Sequence, residues 1–202
     1  MVVKQLVKLG LVSTGTLLLV ACQHNPQDIA NSVHEQADAS EEALETIQVA
    51  ESKLSGTFSE AFKEDDISTD QLSENRSTRQ KAIDDLDNIK DDFSTDIDKM
   101  NDALSNGDLS EEDEKDFKSL LEPSETVVKQ LNSYLDSYHN VLSEEETYYN
   151  QLTESDMDFE GYQNGLDKVN EQHEDAQNHL KELESALSKL HELDNREEDN
   201  NE

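Results

Sequence analysis

The chain is 202 residues long, with 49 acidic and 16 basic residues and a formal net charge of −33. That charge disfavours nucleic acid as a partner, because nucleic-acid-binding surfaces are basic. Apolar residues make up 33% and Trp is absent, a composition that also suits disorder, so hydrophobic periodicity has to decide whether the chain folds.

The first element is a leader. Lys4 and Lys8 precede 13 uncharged residues, Leu9 to Ala21. That run is too short to span a bilayer as a helix, which takes about 20 residues, but it suits the apolar middle of a secretory signal. Leu19-Val20-Ala21-Cys22 resembles a bacterial lipobox, and Cys22 is the only cysteine. The resemblance implies a diacylglycerol on the Cys22 thiol and cleavage before it. Two acyl chains anchor stably where one binds marginally. The expected division is therefore a signal peptide at 1–21 and a lipidated N-terminus with a short linker at 22–28. Without Lys4 and Lys8, 14 basic residues face 49 acids, and the mature net charge is −35.

Four helical stripes follow. Ala30, Val33, Ala37, Ser40, Leu44, Ile47, Glu51, Leu54, Phe58 and Ala61 fall at alternating steps of three and four. A second series runs from Leu72 through Arg76, Arg79, Ile83, Lys90 and Phe93 to Leu104, and a third from Phe117 through Leu131, Leu135, Tyr138 and Glu145 to Leu152. The fourth extends from Phe159 through Val169, His173 and Leu183 to Leu190. Sustained 3-4 spacing predicts long helices packed in coiled-coil fashion, and a narrow stripe needs little apolar content. The third series has a second row beside it, Leu120, Val127, Tyr134, Val141 and Tyr148, which predicts a central helix with several neighbours.

The breaks differ in strength. At 63–71 Ser68, Thr69 or Asp70 could cap a helix, but no Gly or Pro enforces a turn, so a turn and a bent continuous helix both stay open. Asn106-Gly107 and the Ser110/Asp113 capping pattern predict a firm turn. Pro123 reads as a kink or a helix restart. Residues 153–161 form the last turn, and 195–202 read as a disordered acidic tail. The fold class is all-α: an elongated antiparallel bundle of three to four long helices over 29–194, after a cleaved lipoprotein signal.

A family resemblance rests on the lipobox followed by "NRSTRQKAIDDL" in the second helix and "YLDSYHNVLSEEETYYNQLTESD" leading into "LDKVNEQHE". Together they look like the YkyA-type cell-wall-binding lipoproteins of Gram-positive bacteria. The resemblance implies an all-helical lipoprotein on the outer face of the cytoplasmic membrane. The expected partners are cell-wall components or another envelope protein. The resemblance supplies no functional residues to carry over.

Patterns for chemistry are sparse. Residues 102–113 have the length and central Gly of a calcium loop, but Leu104 falls on a ligand position and on the core stripe, so the stretch reads as an ordinary turn. The acidic run Asp108 to Asp116 can attract divalent cations loosely. No Glu-x-x-His pair serves a carboxylate-bridged metal site, and Asp136-x-x-His139 stands alone. No nucleophile motif or phosphate loop stands out, so the reading is a non-enzyme without cofactor or resident metal.

One level of the expected bundle is unusual. Counting from turns near 66, 107 and 156 puts Arg76 and Arg79 level with Tyr134, Tyr138 and His173, at the end away from the lipid. Two readings apply. The arginines pair with acids such as Glu51 or Asp136 and set register, while the aromatics simply pack. Alternatively, Arg76, Arg79, Tyr134, Tyr138 and His173 form a shallow polar site, with Arg on an anionic group and Tyr faces on a sugar ring or peptide. The functional expectation is a non-enzymatic envelope lipoprotein with a wall-binding or spacer role, and the alternative is a small-ligand-binding lipoprotein that uses this cluster.

Overall fold

The computed structural model describes residues 25–61, 68–153 and 158–199, with side chains to 193. The signal peptide, Cys22 to His24, residues 62–67 at the start of the 63–71 break, residues 154–157 and the last three residues lie outside the described residues. Every element among the described residues is a helix: α1 Pro26–Ser52, α2 Leu54–Ala61, α3 Asp70–Asn106, α4 Glu111–Leu152 and α5 Phe159–Asp199.

Helix α1 starts earlier than the stripe suggested. Asn25 caps it by accepting the Gln27 amide at 3.4 Å, and Pro26 occupies the first turn, where its missing N–H costs nothing. The linker expected to reach residue 28 therefore ends at Asn25. The single helix expected from Ala30 to Ala61 is in fact two. At Lys53 the backbone N–H turns to Ala50 O at 3.2 Å, and the Ser52 hydroxyl bonds Val49 O at 2.7 Å. Ser52, Ser55, Gly56 and Thr57 are weak helix formers, and Ser competes for backbone acceptors, so the ladder lapses there.

Residues 63–67 of the open break lie outside the described residues, but the helices on either side of it are separate and run in opposite directions. The Ser68 amide donates to Ala61 O at 3.2 Å, and α3 begins at Asp70 and runs back along α1. Cross-links fix that pairing: Gln36 Nε2 reaches Asp96 Oδ2 at 2.8 Å, and Asn75 Nδ2 donates to Ala50 O at 2.7 Å. The next turn follows its local signals. Gly107 adopts φ 72°, the left-handed region that Gly enters without penalty, and the Ser110 hydroxyl accepts the Asp113 amide at 3.1 Å. Asp102, Leu104 and Asn106 remain helical in α3, which is not how a calcium loop arranges them.

Pro123 does not restart a helix, because α4 passes through it. This helix of 42 residues is about 63 Å long at 1.5 Å per residue. It packs closely on both α3 and α5, and also touches α1. Both of its apolar rows are used: Leu120, Val127, Tyr134, Val141 and Tyr148 are buried alongside Leu131, Leu135 and Leu142. Helix α5 returns antiparallel to α4 and continues to Asp199, past the end expected at 194. Arg196, Glu197 and Glu198 are good helix formers, so the helix outlasts its apolar stripe. Phe159, expected on that stripe, is 73% exposed, because it sits in the first turn of α5 beyond the reach of its neighbours. None of the described helices is long and apolar enough to cross a membrane.

The apolar interior has two parts. A long core runs through Val33, Leu44, Leu86, Phe93, Leu131 and Leu187. A smaller cluster at the α2 end contains Ala61, Leu72, Tyr148, Tyr149, Leu152 and Val169. Between them the four long helices, α1, α3, α4 and α5, each contribute a polar side chain on the inner face.

Candidate functional site

That polar layer consists of Glu51, Arg79, Glu145 and His173, with the hydroxyl of Tyr138. Each charged member occupies a position on its helix stripe where an apolar residue would continue the core. Arg79 and Glu145 are fully buried. The guanidinium grips the carboxylate with two bonds, Nη1 to Oε1 at 3.0 Å and Nη2 to Oε2 at 2.5 Å. Its Nε donates to Asn75 Oδ1 at 2.9 Å, and Nη1 also reaches the Tyr138 oxygen at 3.3 Å. The Tyr138 hydroxyl donates to Glu51 Oε1 at 2.7 Å. His173 Nε2 lies 2.8 Å from Glu145 Oε1, and its Nδ1 lies 3.4 Å from Glu51 Oε1.

These contacts set the protonation states. Burial pushes the Glu145 carboxyl up, but hydrogen bonds from His173 and Arg79 outweigh it and hold the group below its ordinary value. Glu51 is likewise lowered: burial opposes ionisation, while His173 and Tyr138 favour it. Burial alone would lower His173, yet bonds to Glu145 and Glu51 raise it to about 9. Burial drives the Tyr138 and Tyr134 hydroxyls well up, so both stay neutral. The layer thus carries two positive and two negative charges near neutral pH and sums to zero. Desolvation offsets much of the Coulombic gain of such a buried pair, and its two-bond geometry is met at one register of α3 against α4.

The sequence candidates are partly reunited. Arg79, Tyr138 and His173 meet in one network. Tyr134 stands behind it, its ring centroid 5.4 Å from that of Tyr138. Arg76 is separate: its Nε donates to Leu142 O at 2.9 Å and its Nη2 meets Glu146 Oε2 at 2.5 Å. The partners expected for the arginines were Glu51 or Asp136; those observed are Glu145 and Glu146, and Asp136 is exposed. Sequence reading placed Glu51 and Glu145 on the stripes without selecting them as site residues. The available signal was an acid at a core position, matched by a base at the same height.

Beside the layer, under α2, lies a groove of about 600 Å³. Phe58, Tyr148, Tyr162 and Asn170 line it, with Glu51 and His173 at its inner end. Of the five sequence candidates, His173 alone is among its lining residues. The Phe58 and Tyr148 rings lie nearly parallel, 13° apart with centroids at 6.2 Å, and Tyr162 tilts against Tyr148 at 57°. Gly165 makes this wall close, since a Cβ there would sit 2.4 Å from Tyr148 Cδ2. Helix α2 leans on α3 but not on α5, which leaves the groove open. No cluster of three or more metal-type ligands occurs among the described residues.

A model of the YkyA family, described as "putative cell-wall binding lipoprotein", matches residues 24–199. No curated protein and no solved structure matches the chain.

Proposed function

The chain belongs to the YkyA family, and on that premise we propose that it is a non-enzymatic lipoprotein of the cell envelope, held at the outer face of the cytoplasmic membrane by a diacylglycerol on Cys22. The observation that carries this reading is the family match itself, which begins two residues after Cys22 and spans the whole bundle. The start of α1 at Pro26 supports a bundle tied close to its anchor. Helices α1 and α2 then lead away from the lipid, so the α2/α3 and α4/α5 ends face outward, about 60 Å from the membrane end at 1.5 Å per residue of α4. A spacer or wall-binding role suits that geometry. A non-enzymatic role is supported by the fully buried pair of the polar layer, since Arg79 and Glu145 satisfy one another.

Charge constrains the partner. A mature body of −35 is repelled by anionic wall polymers and lipids, so wall attachment through the outer faces requires bridging divalent cations. The full chain should sediment with purified wall fragments in millimolar magnesium and be released by a chelator. Failure to sediment with magnesium present refutes the wall role. For the anchor, Cys22→Ala should leave an unprocessed or shed precursor; a variant still cleaved before residue 22 and kept on membranes refutes lipidation.

A second reading, a small-ligand-binding lipoprotein, is favoured by one observation: the open, aromatic-walled groove of about 600 Å³ at the outward end.

A further inference from the structure

The polar layer leaves one acceptor untaken. Both contacts to the Glu51 carboxylate fall on Oε1, from Tyr138 at 2.7 Å and His173 at 3.4 Å. Among the described residues no hydrogen bond falls on Oε2, and the Glu51 side chain is 24% exposed on the groove wall. Glu145 differs. Both its oxygens are occupied by Arg79, with His173 on one of them as well, and it is fully buried. His173 sits nearer Glu145 than Glu51, so its positive charge is tied mainly to the deeper carboxylate.

We propose that the groove binds an organic ammonium, with Glu51 Oε2 facing the cationic nitrogen and the rings of Phe58, Tyr148 and Tyr162 flanking its carbon body. The inference rests on the small-ligand reading above and gives that reading a ligand class. Three observations converge on it. The groove presents an ionised carboxylate with a free oxygen, which a cation satisfies and an anion does not. Its walls are aromatic faces, and these attract ammonium groups through their negative quadrupole. The chain as a whole carries −33, so its field concentrates cations around every opening.

The same geometry disfavours the anionic ligand that the sequence suggested. Arg79 is sealed behind Glu145, and Arg76 is engaged with Glu146 and does not line the groove. A neutral sugar could stack on the rings but would bring no charge to Glu51 Oε2, whose partner oxygen alone is engaged by His173 and Tyr138.

Isothermal titration of the full chain in detergent micelles tests this with three probes: choline, glucosamine and N-acetylglucosamine. The two sugars share a ring and differ in the charge on nitrogen. Choline and glucosamine should bind saturably, with N-acetylglucosamine weaker by roughly tenfold or more. Glu51→Gln keeps an acceptor for Tyr138 and removes the charge, and it should lower ammonium affinity by a similar factor. If that variant unfolds, Phe58→Ala provides the second arm, since it removes a wall ring that is only half-buried. No binding of choline, equal binding of the two sugars, or parental affinity in folded Glu51→Gln would overturn the proposal. Wall sedimentation of the same variants keeps the readings apart: lost ammonium binding with parental sedimentation supports the groove site and assigns wall attachment to another surface.

Discussion

Replacing Arg79 with Met would leave the Glu145 carboxylate in the middle of the bundle with His173 as its remaining cationic partner. Both members of the Arg79–Glu145 pair have side chains at 0% exposure, so neither can turn to water for compensation. Removing one partner of such a pair costs about 3–5 kcal/mol, mostly the penalty of a stranded buried charge. Against a total stability of about 5–15 kcal/mol that is a large fraction. Glu145→Leu should cost a similar amount, because it strands the guanidinium with Asn75 and the Tyr138 oxygen. The double variant Arg79→Met, Glu145→Leu removes both charges and restores apolar contact between the two core clusters. It should be more stable than either single variant, with a coupling energy of at least about 2 kcal/mol. Urea unfolding followed by far-UV circular dichroism measures all four proteins. The reasoning fails if either single variant lies within about 1 kcal/mol of the parent, or if the double loss equals the sum of the singles.

Other expectations follow from the same structure. The His173 pKa rises from an ordinary 6.5 to about 9, so its contribution to stability is complete below 6.5 and disappears as pH rises through 9; it amounts to roughly 3 kcal/mol at most. Melting temperature should fall across that window in the parent and stay flatter in His173→Gln, and parallel curves would refute the assignment. At the acid end Glu51 and Glu145 act in the opposite sense, because their lowered values mean stability is lost only as pH falls beneath the usual carboxylate range. Leu135→Ala and Leu183→Ala remove side chains at 3% and 0% exposure and should each cost about 2–5 kcal/mol in thermal or urea unfolding, whereas parental curves would mean the stripe faces no core. Gly165→Ala drives a methyl into the Tyr148 ring at 2.4 Å, which should cost about 1–3 kcal/mol and change the near-UV tyrosine signal; an unchanged spectrum and melting temperature would refute the close wall.

Much of this architecture was present in the linear pattern because its causes are local. A stripe at steps of three and four defines a helix face whatever the partner, and Val33, Leu44, Leu86, Phe93, Leu131 and Leu187 are buried where that periodicity put them. The turn at Gly107 and Ser110 depends on backbone freedom at one residue and a cap at another, both readable within a few positions. The double row on α4 announced its central place, since a wider apolar face needs more neighbours. Local reasoning fell short where local preferences competed, as at Lys53, where weak helix formers interrupt a continuous stripe.

The polar layer marks the boundary between the two kinds of knowledge. Counting from turns brought Arg79 to the height of Tyr138 and His173, because rise per residue is constant along antiparallel helices. It did not say that Arg79 would close on Glu145, 66 residues away, rather than on Glu51. Nor did it place Glu51 on the wall of a groove under α2. Those outcomes depend on how each helix is rotated about its axis and how far α2 leans from α5. Rotation and tilt are decided by the packing of all the helices at once, and no stretch of sequence holds that information alone.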